Sequence, residues 1–90
     1  MTSPTNSWNV YILRCRDGTL YTGIAVDVAK RLEAHRSGAG AKYTRSRLPV
    51  VLVYQEAQPD RSGAQKREAA LRALGREGKL GLIRGSGSTS

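Results

Sequence analysis

The stretch "WNVYILRCRDGTLYTGIA", residues 8–25, decides the fold because it holds two strand-like segments separated by a turn signal. The segments "NVYILRC" and "LYTGIAV" are rich in β-branched and aromatic residues, and "RDG" between them is typical of a tight turn. We therefore predict a β-hairpin that carries one tyrosine on each strand, Tyr11 and Tyr21.

Two hairpin registers are compatible with this turn, and they place the tyrosines differently. A two-residue type I′ turn at positions 17 and 18 would pair Tyr11 with Ile24, and the two tyrosines would point to opposite faces. A three-residue loop with a left-handed glycine would pair Tyr11 with Gly23 instead. Tyr21 would then share the face of Tyr11, and Gly23 would leave space over the Tyr11 ring. Turn preferences alone leave both registers open.

The rest of the chain predicts helices around a third strand. The segment "DVAKRLEAHRSG" reads as a helix that begins at Asp27 as N-cap and ends at Gly38. The apolar run "VVLVYQ" predicts a buried strand. Ser62 with Gln65 forms a capping-box pattern, which predicts a helix through "AQKREAALRAL" to about Gly75, followed by a short closing helix at "KLGLIR".

These elements predict an α+β fold of order ββαβαα, with helices around a three-stranded antiparallel sheet. The predicted strands span about residues 9–15, 19–26 and 49–55. Ninety residues make one domain with a modest core. We predict that the domain covers residues 8–84, between small, polar and disordered ends at 1–7 and 85–90.

Cysteine content and charge indicate a compartment and a partner. The single cysteine cannot form an internal disulfide, and neither a signal peptide nor an apolar membrane span is visible, so we expect a cytoplasmic protein without membrane association. Fifteen Lys and Arg against seven Asp and Glu give a formal charge of +8, and eleven of the fifteen are arginine. Because the arginine fork suits phosphate oxygens, this balance favours a nucleic-acid partner over an acidic membrane surface.

Several polar residues are candidates for a site, although each has an ordinary alternative. Arg31 and His35 are one helical turn apart at the edge of an apolar stripe, where they either reach into a cleft or stay in solvent. Glu68 lies at the border of the buried face of its helix, and a salt bridge is the commoner role for such a carboxylate. A glycine-rich basic loop, which either clamps a backbone phosphate or is simply exposed, contains Lys42, Tyr43, Arg45 and Arg47.

Together these residues resemble the GIY-YIG nuclease domain. "NVY" at 9–11 looks like the first triplet of that family and "YTG" at 21–23 like the second, and the later Arg, His, Tyr and Glu follow in the family's order. The similarity covers about residues 8–84. It is strongest to small stand-alone bacterial members related to the nuclease subunit of structure-specific endonucleases, through "YTGIAVDVAKRLEAHRSGAGAKYTRSRLPVVLVY". The resemblance favours the bulged register, with both tyrosines on one face.

The resemblance also implies a role for each candidate residue in a metal-dependent phosphodiesterase. Tyr11 matches the residue that acts as general base or orients the attacking water, and Tyr21 matches one that bonds a phosphate oxygen or that water. Arg31 would stabilise charge on the scissile phosphate, and His35 is a second candidate base. Glu68 would hold one divalent ion, Mg²⁺ or Mn²⁺.

The function expected from this resemblance is a divalent-metal-dependent endonuclease acting on DNA, branched or single-stranded, with RNA as an alternative substrate. The rival hypotheses are a non-catalytic nucleic-acid-binding module of the same fold and a protein that needs a partner for substrate targeting. Presence of the carboxylate Glu68 beside the other four residues favours the nuclease, since binding alone does not require it.

Overall fold

The computed structural model describes residues 8–87, which form a three-stranded antiparallel sheet and four helices. The elements, in chain order, are β1 (Trp8–Arg14), β2 (Leu20–Ala25), α1 (Val28–Arg36), α2 (Lys42–Arg45), β3 (Val51–Gln58), α3 (Arg61–Ala73) and α4 (Gly75–Gly87). The α+β prediction and the order ββαβαα are confirmed, with one addition. The short helix α2 lies inside the segment that the sequence predicts as a basic loop.

The hairpin adopts the three-residue loop. Tyr11 is paired with Gly23, and the pairing continues in the same register to Arg14 and Leu20. Gly18 closes the loop with a φ of 86°, a left-handed conformation that glycine adopts without a steric penalty. Since partners across an antiparallel pair share a face, Tyr11 and Tyr21 lie on the same side of the sheet.

Each face of the sheet has its own apolar core because side chains alternate along the strands. The first core contains Tyr11 and Leu13 of β1 and Cys15 just after it, with residues of α1 and the segment before β3. The second contains Val10 and Ile12 with residues of α3 and α4. The strand order is β2-β1-β3, so β2 forms one edge of the sheet and β3 the other. The prediction of a buried strand at "VVLVYQ" is wrong, because β3 is an edge strand with no fully buried residue. Because α1 contributes to the first core and α3 to the second, the two helices cover opposite faces of the sheet, and both contact β2.

Aspartate side chains cap the N-termini of α1 and α3. Asp27 accepts a hydrogen bond from the Lys30 amide at 3.0 Å, as predicted. The predicted capping box at Ser62 is wrong, because Asp60 Oδ1 accepts from the Gly63 amide at 2.7 Å and Ser62 is already inside α3. Aspartate two residues earlier satisfies the free amides of the first turn equally well.

The two ends of the chain are only partly described. Residues 85–87, which the sequence assigns to a disordered tail, belong to α4, while residues 1–7 and 88–90 lie outside the described part. Within residues 8–87, no helix is long and apolar enough to cross a membrane.

Candidate active site

Five predicted site residues line one cavity of about 370 Å³ at the β2 edge of the sheet. They are Tyr11, Tyr21, Arg31, His35 and Glu68. Gly23, Ile24 and residues 39–41 complete the wall. The fold brings together residues that are up to 57 positions apart in sequence, from Tyr11 to Glu68.

Elements from both faces of the sheet supply these side chains. Tyr11 and Tyr21 come from the hairpin, with their ring centroids 6.5 Å apart. Arg31 and His35 come from successive turns of α1, which covers the same face. Glu68 belongs to α3 on the opposite face, and it reaches the cavity at the edge of the sheet that β2 forms. The site therefore depends on the packing of both helices against β2.

Gly23 is needed for the position of Tyr11. A Cβ atom at Gly23 would lie 2.6 Å from both Cζ and Oη of Tyr11, which is closer than real carbon contacts allow. The Tyr11 ring therefore fills the space that the missing side chain of Gly23 leaves. This close approach explains why glycine, a weak strand former, stands in the middle of β2.

His35 is buried, with 1% of its surface exposed, although the sequence places it only at the edge of a helix stripe. Its Nε2 atom is 3.1 Å from Tyr11 Oη, and its Nδ1 atom is 2.8 Å from Thr44 Oγ1. The ring also makes an edge-on contact with Tyr21, at 5.3 Å between centroids. Both nitrogens of the imidazole are therefore held by hydroxyl groups of the protein.

Burial shifts the pKa values of the Tyr11 and His35 side chains in ways that favour their neutral forms. Loss of hydration raises the pKa of Tyr11 to about 12, with a further increase from Tyr21, while Arg31 opposes the shift. Burial also lowers the pKa of His35 below its usual value, and the positive charge of Arg31 lowers it further. At neutral pH the pair is a phenol beside an uncharged imidazole, which can accept a proton.

Glu68 does not form the salt bridge that is the ordinary alternative for this carboxylate. Within residues 8–87, Glu68 takes part in neither of the ion pairs, which join Arg47 to Asp17 and Arg67 to Glu56. It is the one carboxylate that lines the cavity. In this part of the chain no group of three or more His, Cys, Asp or Glu side chains is placed to hold a metal.

The basic residues of the predicted loop stand beside the cavity and do not line it. Lys42 and Arg45 are exposed on α2, and Tyr43, which is 39% exposed, places its ring 5.8 Å from that of Tyr21. Arg47 differs from them because its guanidinium is already engaged. It lies 4.0 Å above the Tyr43 ring, and its side chain donates to the Tyr43 carbonyl at 2.9 Å and to an aspartate of the hairpin turn at 3.1 Å.

The sequence patterns do not identify two residues at the site, Thr44 and Gly40. Thr44 is fully buried against His35. Gly40 packs so closely on His35 that an added Cβ would lie 2.8 Å from its Cγ and 2.9 Å from its Cα. Both stand in a basic, glycine-containing segment that resembles an ordinary surface loop. No periodicity in that segment indicates that it folds over a buried histidine.

Comparison with known proteins supports the same relationship along most of the chain. The GIY-YIG catalytic domain model matches residues 7–79. UPF0213 protein DP2720 of Desulfotalea psychrophila is 53% identical over 81 residues, which are 89% of this chain and 74% of that protein. A UPF0213 protein of Streptococcus sanguinis is 48% identical over 79 residues, 88% of this chain and 91% of its own length.

Two solved structures share the fold. The solution NMR structure of UPF0213 protein BH0048 from Bacillus halodurans has a TM-score of 0.59 and 42% identity, covering 92% of this chain and 88% of that one. The solution NMR structure of EF2693 from E. faecalis has a TM-score of 0.65 and 35% identity, covering 99% and 95%. With its tyrosine hairpin and its cavity of five polar side chains, the chain belongs to the GIY-YIG catalytic domain family of nucleases, among the small bacterial proteins of that family.

Proposed function

We propose that this protein is a divalent-metal-dependent endonuclease that hydrolyses phosphodiester bonds in DNA, in branched or single-stranded regions. The observation that carries the proposal is the hydrogen bond between Tyr11 Oη and His35 Nε2, in a cavity that Arg31 and Glu68 also line. Phosphodiester hydrolysis needs an activated water and neutralisation of the charge that grows on the phosphate oxygens. These side chains supply groups for both needs.

Tyr11 and His35 act as a pair in this proposal. A phenol with a pKa of about 12 is a poor base at neutral pH unless its own proton has an acceptor. The neutral imidazole of His35 is that acceptor. As the water oxygen bonds to phosphorus, a water proton passes to Tyr11 Oη and the phenol proton passes to His35 Nε2. The P–O bond to the leaving oxygen breaks, and that oxygen takes a proton from solvent.

Arg31 and Tyr21 are suited to hold the phosphate. Arg31 is exposed at the rim of the cavity, lies close enough to the Tyr11 phenol to lower its pKa, and is in neither ion pair of residues 8–87, so no carboxylate competes with an anion for its guanidinium. Arginine offers planar paired donors that match phosphate oxygens. The Tyr21 ring lies between those of Tyr11 and Tyr43, with its side chain on the cavity wall. We assign both residues to the scissile phosphate.

Glu68 is the one carboxylate of this cavity that would hold a divalent ion. Mg²⁺ retains several waters and accepts phosphate oxygens, so one protein carboxylate is a sufficient anchor when the substrate is present. Within residues 8–87 no group of three or more His, Cys, Asp or Glu side chains is placed to hold a metal, so Glu68 would be the protein's anchor and the substrate would supply further oxygen ligands. When bound, Mg²⁺ or Mn²⁺ supplies positive charge to the phosphate and to the leaving oxygen.

Replacement of Glu68 tests the nuclease against the binding module. Glu68→Gln keeps the size of the side chain and removes its charge, so cleavage with Mg²⁺ or Mn²⁺ should fall by orders of magnitude. Binding of DNA without metal should stay the same or tighten, because one negative charge leaves a phosphate site. The measurements are cleavage and metal-free binding of single-stranded, duplex and branched DNA and the matching RNA, with a thermal melt of each protein.

Glu56→Gln is the matched control. Glu56 accepts hydrogen bonds from Tyr54, Gln58 and Arg67 away from the cavity, so this variant should lose stability, by about 1 kcal/mol, and keep its cleavage rate while it stays folded. A folded Glu68→Gln protein that cuts as fast as the wild type would end the metal-ligand assignment. A wild type that binds these substrates and cuts none in either metal would favour the binding module instead.

A further inference from the structure

Thr44 makes two hydrogen bonds through one hydroxyl group, and these bonds specify where the proton of His35 resides. Thr44 Oγ1 is 3.0 Å from the carbonyl oxygen of Ala41 and 2.8 Å from His35 Nδ1. The carbonyl oxygen, which also accepts from the amides of Thr44 and Arg45, has no hydrogen, so we assign the single hydroxyl hydrogen of Thr44 to the bond with this carbonyl. Thr44 Oγ1 is then an acceptor toward the imidazole, and the hydrogen between them belongs to His35 Nδ1.

A neutral imidazole with its hydrogen on Nδ1 presents a lone pair on Nε2. Nε2 is the atom that faces Tyr11 Oη, at 3.1 Å. The phenol therefore donates to His35, which is the direction that proton transfer from Tyr11 requires. The opposite tautomer would place an N–H against the phenol oxygen and leave His35 unable to accept its proton.

We propose that Thr44 is a positioning residue, which holds the His35 hydrogen on Nδ1 so that Nε2 can accept the proton of Tyr11. This inference rests on the proposed function. When the proton moves, the Tyr11 O–H bond breaks, an N–H bond forms at Nε2, and the resulting imidazolium keeps its Nδ1–H···Oγ1 bond to Thr44. The Ala41 carbonyl, at the end of this chain of hydrogen bonds, stabilises that positive charge.

The residues around Thr44 and His35 protect the hydrogen bond between them from water. Thr44 is 0% exposed and His35 is 1% exposed, so water does not compete for either group. Gly40 also packs closely on this residue, since an added Cβ there would lie 2.8 Å from His35 Cγ. Thr22 offers a natural comparison, since its buried hydroxyl is the one such side-chain atom in residues 8–87 without a hydrogen-bond partner.

The test compares Thr44→Val with Thr44→Ser and Thr22→Val. Valine keeps the shape of threonine and removes the hydroxyl, serine restores the hydroxyl, and Thr22→Val removes a buried hydroxyl that bonds to nothing. The tautomer is measured by long-range ¹H–¹⁵N NMR correlation of the imidazole in untagged protein. His35 is the one histidine of the chain, so the spectrum contains a single imidazole. Cleavage is measured below the melting temperature of every variant.

We expect the hydrogen on Nδ1 in the wild type, in Thr44→Ser and in Thr22→Val, with cleavage within about threefold of the wild type in both variants. Thr44→Val should lose the Nδ1–H tautomer preference, and its cleavage should fall by at least about tenfold, because the general-base contribution at stake is about 10²–10⁴. A merely structural role for Thr44 would change the melt and leave the tautomer as it is.

Two results would overturn the inference. One is a wild-type imidazole with its hydrogen on Nε2, and the other is a Thr44→Val protein that keeps both the Nδ1–H tautomer and its cleavage rate. Failure of the proposed function gives a different pattern. A wild type that carries Nδ1–H and cuts no substrate would refute the nuclease while the tautomer assignment stands, since the NMR measurement does not depend on activity.

Discussion

At the scale of single residues, the buried and neutral His35 should make stability depend on pH. In the unfolded chain this histidine has its ordinary pKa of 6.5, whereas burial and Arg31 lower its pKa in the folded protein. Between the two values only the unfolded state binds the proton, so the free energy of unfolding falls as pH drops below about 6.5 and levels off below the folded pKa. Above 6.5, His35 contributes no pH dependence.

The free energy of unfolding should fall by about 1.4 kcal/mol for each pH unit that separates the folded and unfolded pKa values of His35. Denaturant unfolding of the wild type and of His35→Gln between about pH 7.5 and 5 measures it. The charged and titratable groups that share the cavity with His35 are Tyr11, Tyr21, Arg31 and Glu68. His35 is the one histidine of the chain, and histidine is the side chain whose ordinary pKa lies in this range, so His35→Gln should show a much flatter profile. Equal pH dependence in both proteins would show that another group is responsible.

At the scale of elements, the segment from Gly38 to α2 closes over His35 and completes the cavity. Gly40 is the point of closest approach, and a Cβ there would meet the backbone of α1 at the Cα atom of His35, 2.9 Å away. Gly40→Ala should therefore shift the segment, weaken the bond between His35 and Thr44, and reduce both stability and cleavage.

A glycine on α4 provides the control for this substitution. Gly81→Ala adds the same methyl group where, apart from the neighbouring backbone of its own helix, nothing lies within 4 Å, so it should be neutral or stabilising by about 0.5–1 kcal/mol. Thermal melts and cleavage rates of the two variants provide the comparison. Gly40→Ala with the stability and rate of the wild type would mean that the segment is not held against His35.

At the scale of the whole molecule, the charge of +8 should govern binding to nucleic acid. Lys42 and Arg45 are exposed on α2 beside the cavity, and we expect both to contact phosphates. Replacing either residue with alanine should flatten the slope of log K against log salt by about 0.7 for single strands or about 0.9 for duplex DNA.

Arg84→Ala removes the same charge from α4, which packs against α3 and against β3 at the other edge of the sheet. Its slope should equal that of the wild type. Binding titrations over a salt series, without divalent metal, measure all three variants. Equal slopes in Lys42→Ala, Arg45→Ala and the wild type would exclude α2 from the binding surface.

The sequence by itself determined the class of fold, and its resemblance to a known family identified the five polar residues of the cavity. The fold elements are specified locally: alternating apolar residues specify strands, spaced apolar residues and caps specify helices, and both triplets lie within one hairpin. Tyr11 and Tyr21 become neighbours through that hairpin, so a pattern of a few residues carries the information. The choice between two hairpin registers needed the family resemblance, because turn preferences are weaker than the packing of a whole face.

Only the tertiary structure decided how the site is supported. The burial of His35, its bond to Thr44 and the contact with Gly40 depend on how the segment after α1 folds back, which no local pattern encodes. Glu68 reaches the cavity because α3 packs on the opposite face and β2 forms the edge of the sheet. The same packing excludes water from His35, and loss of that water is what lowers its pKa and leaves it neutral beside Tyr11.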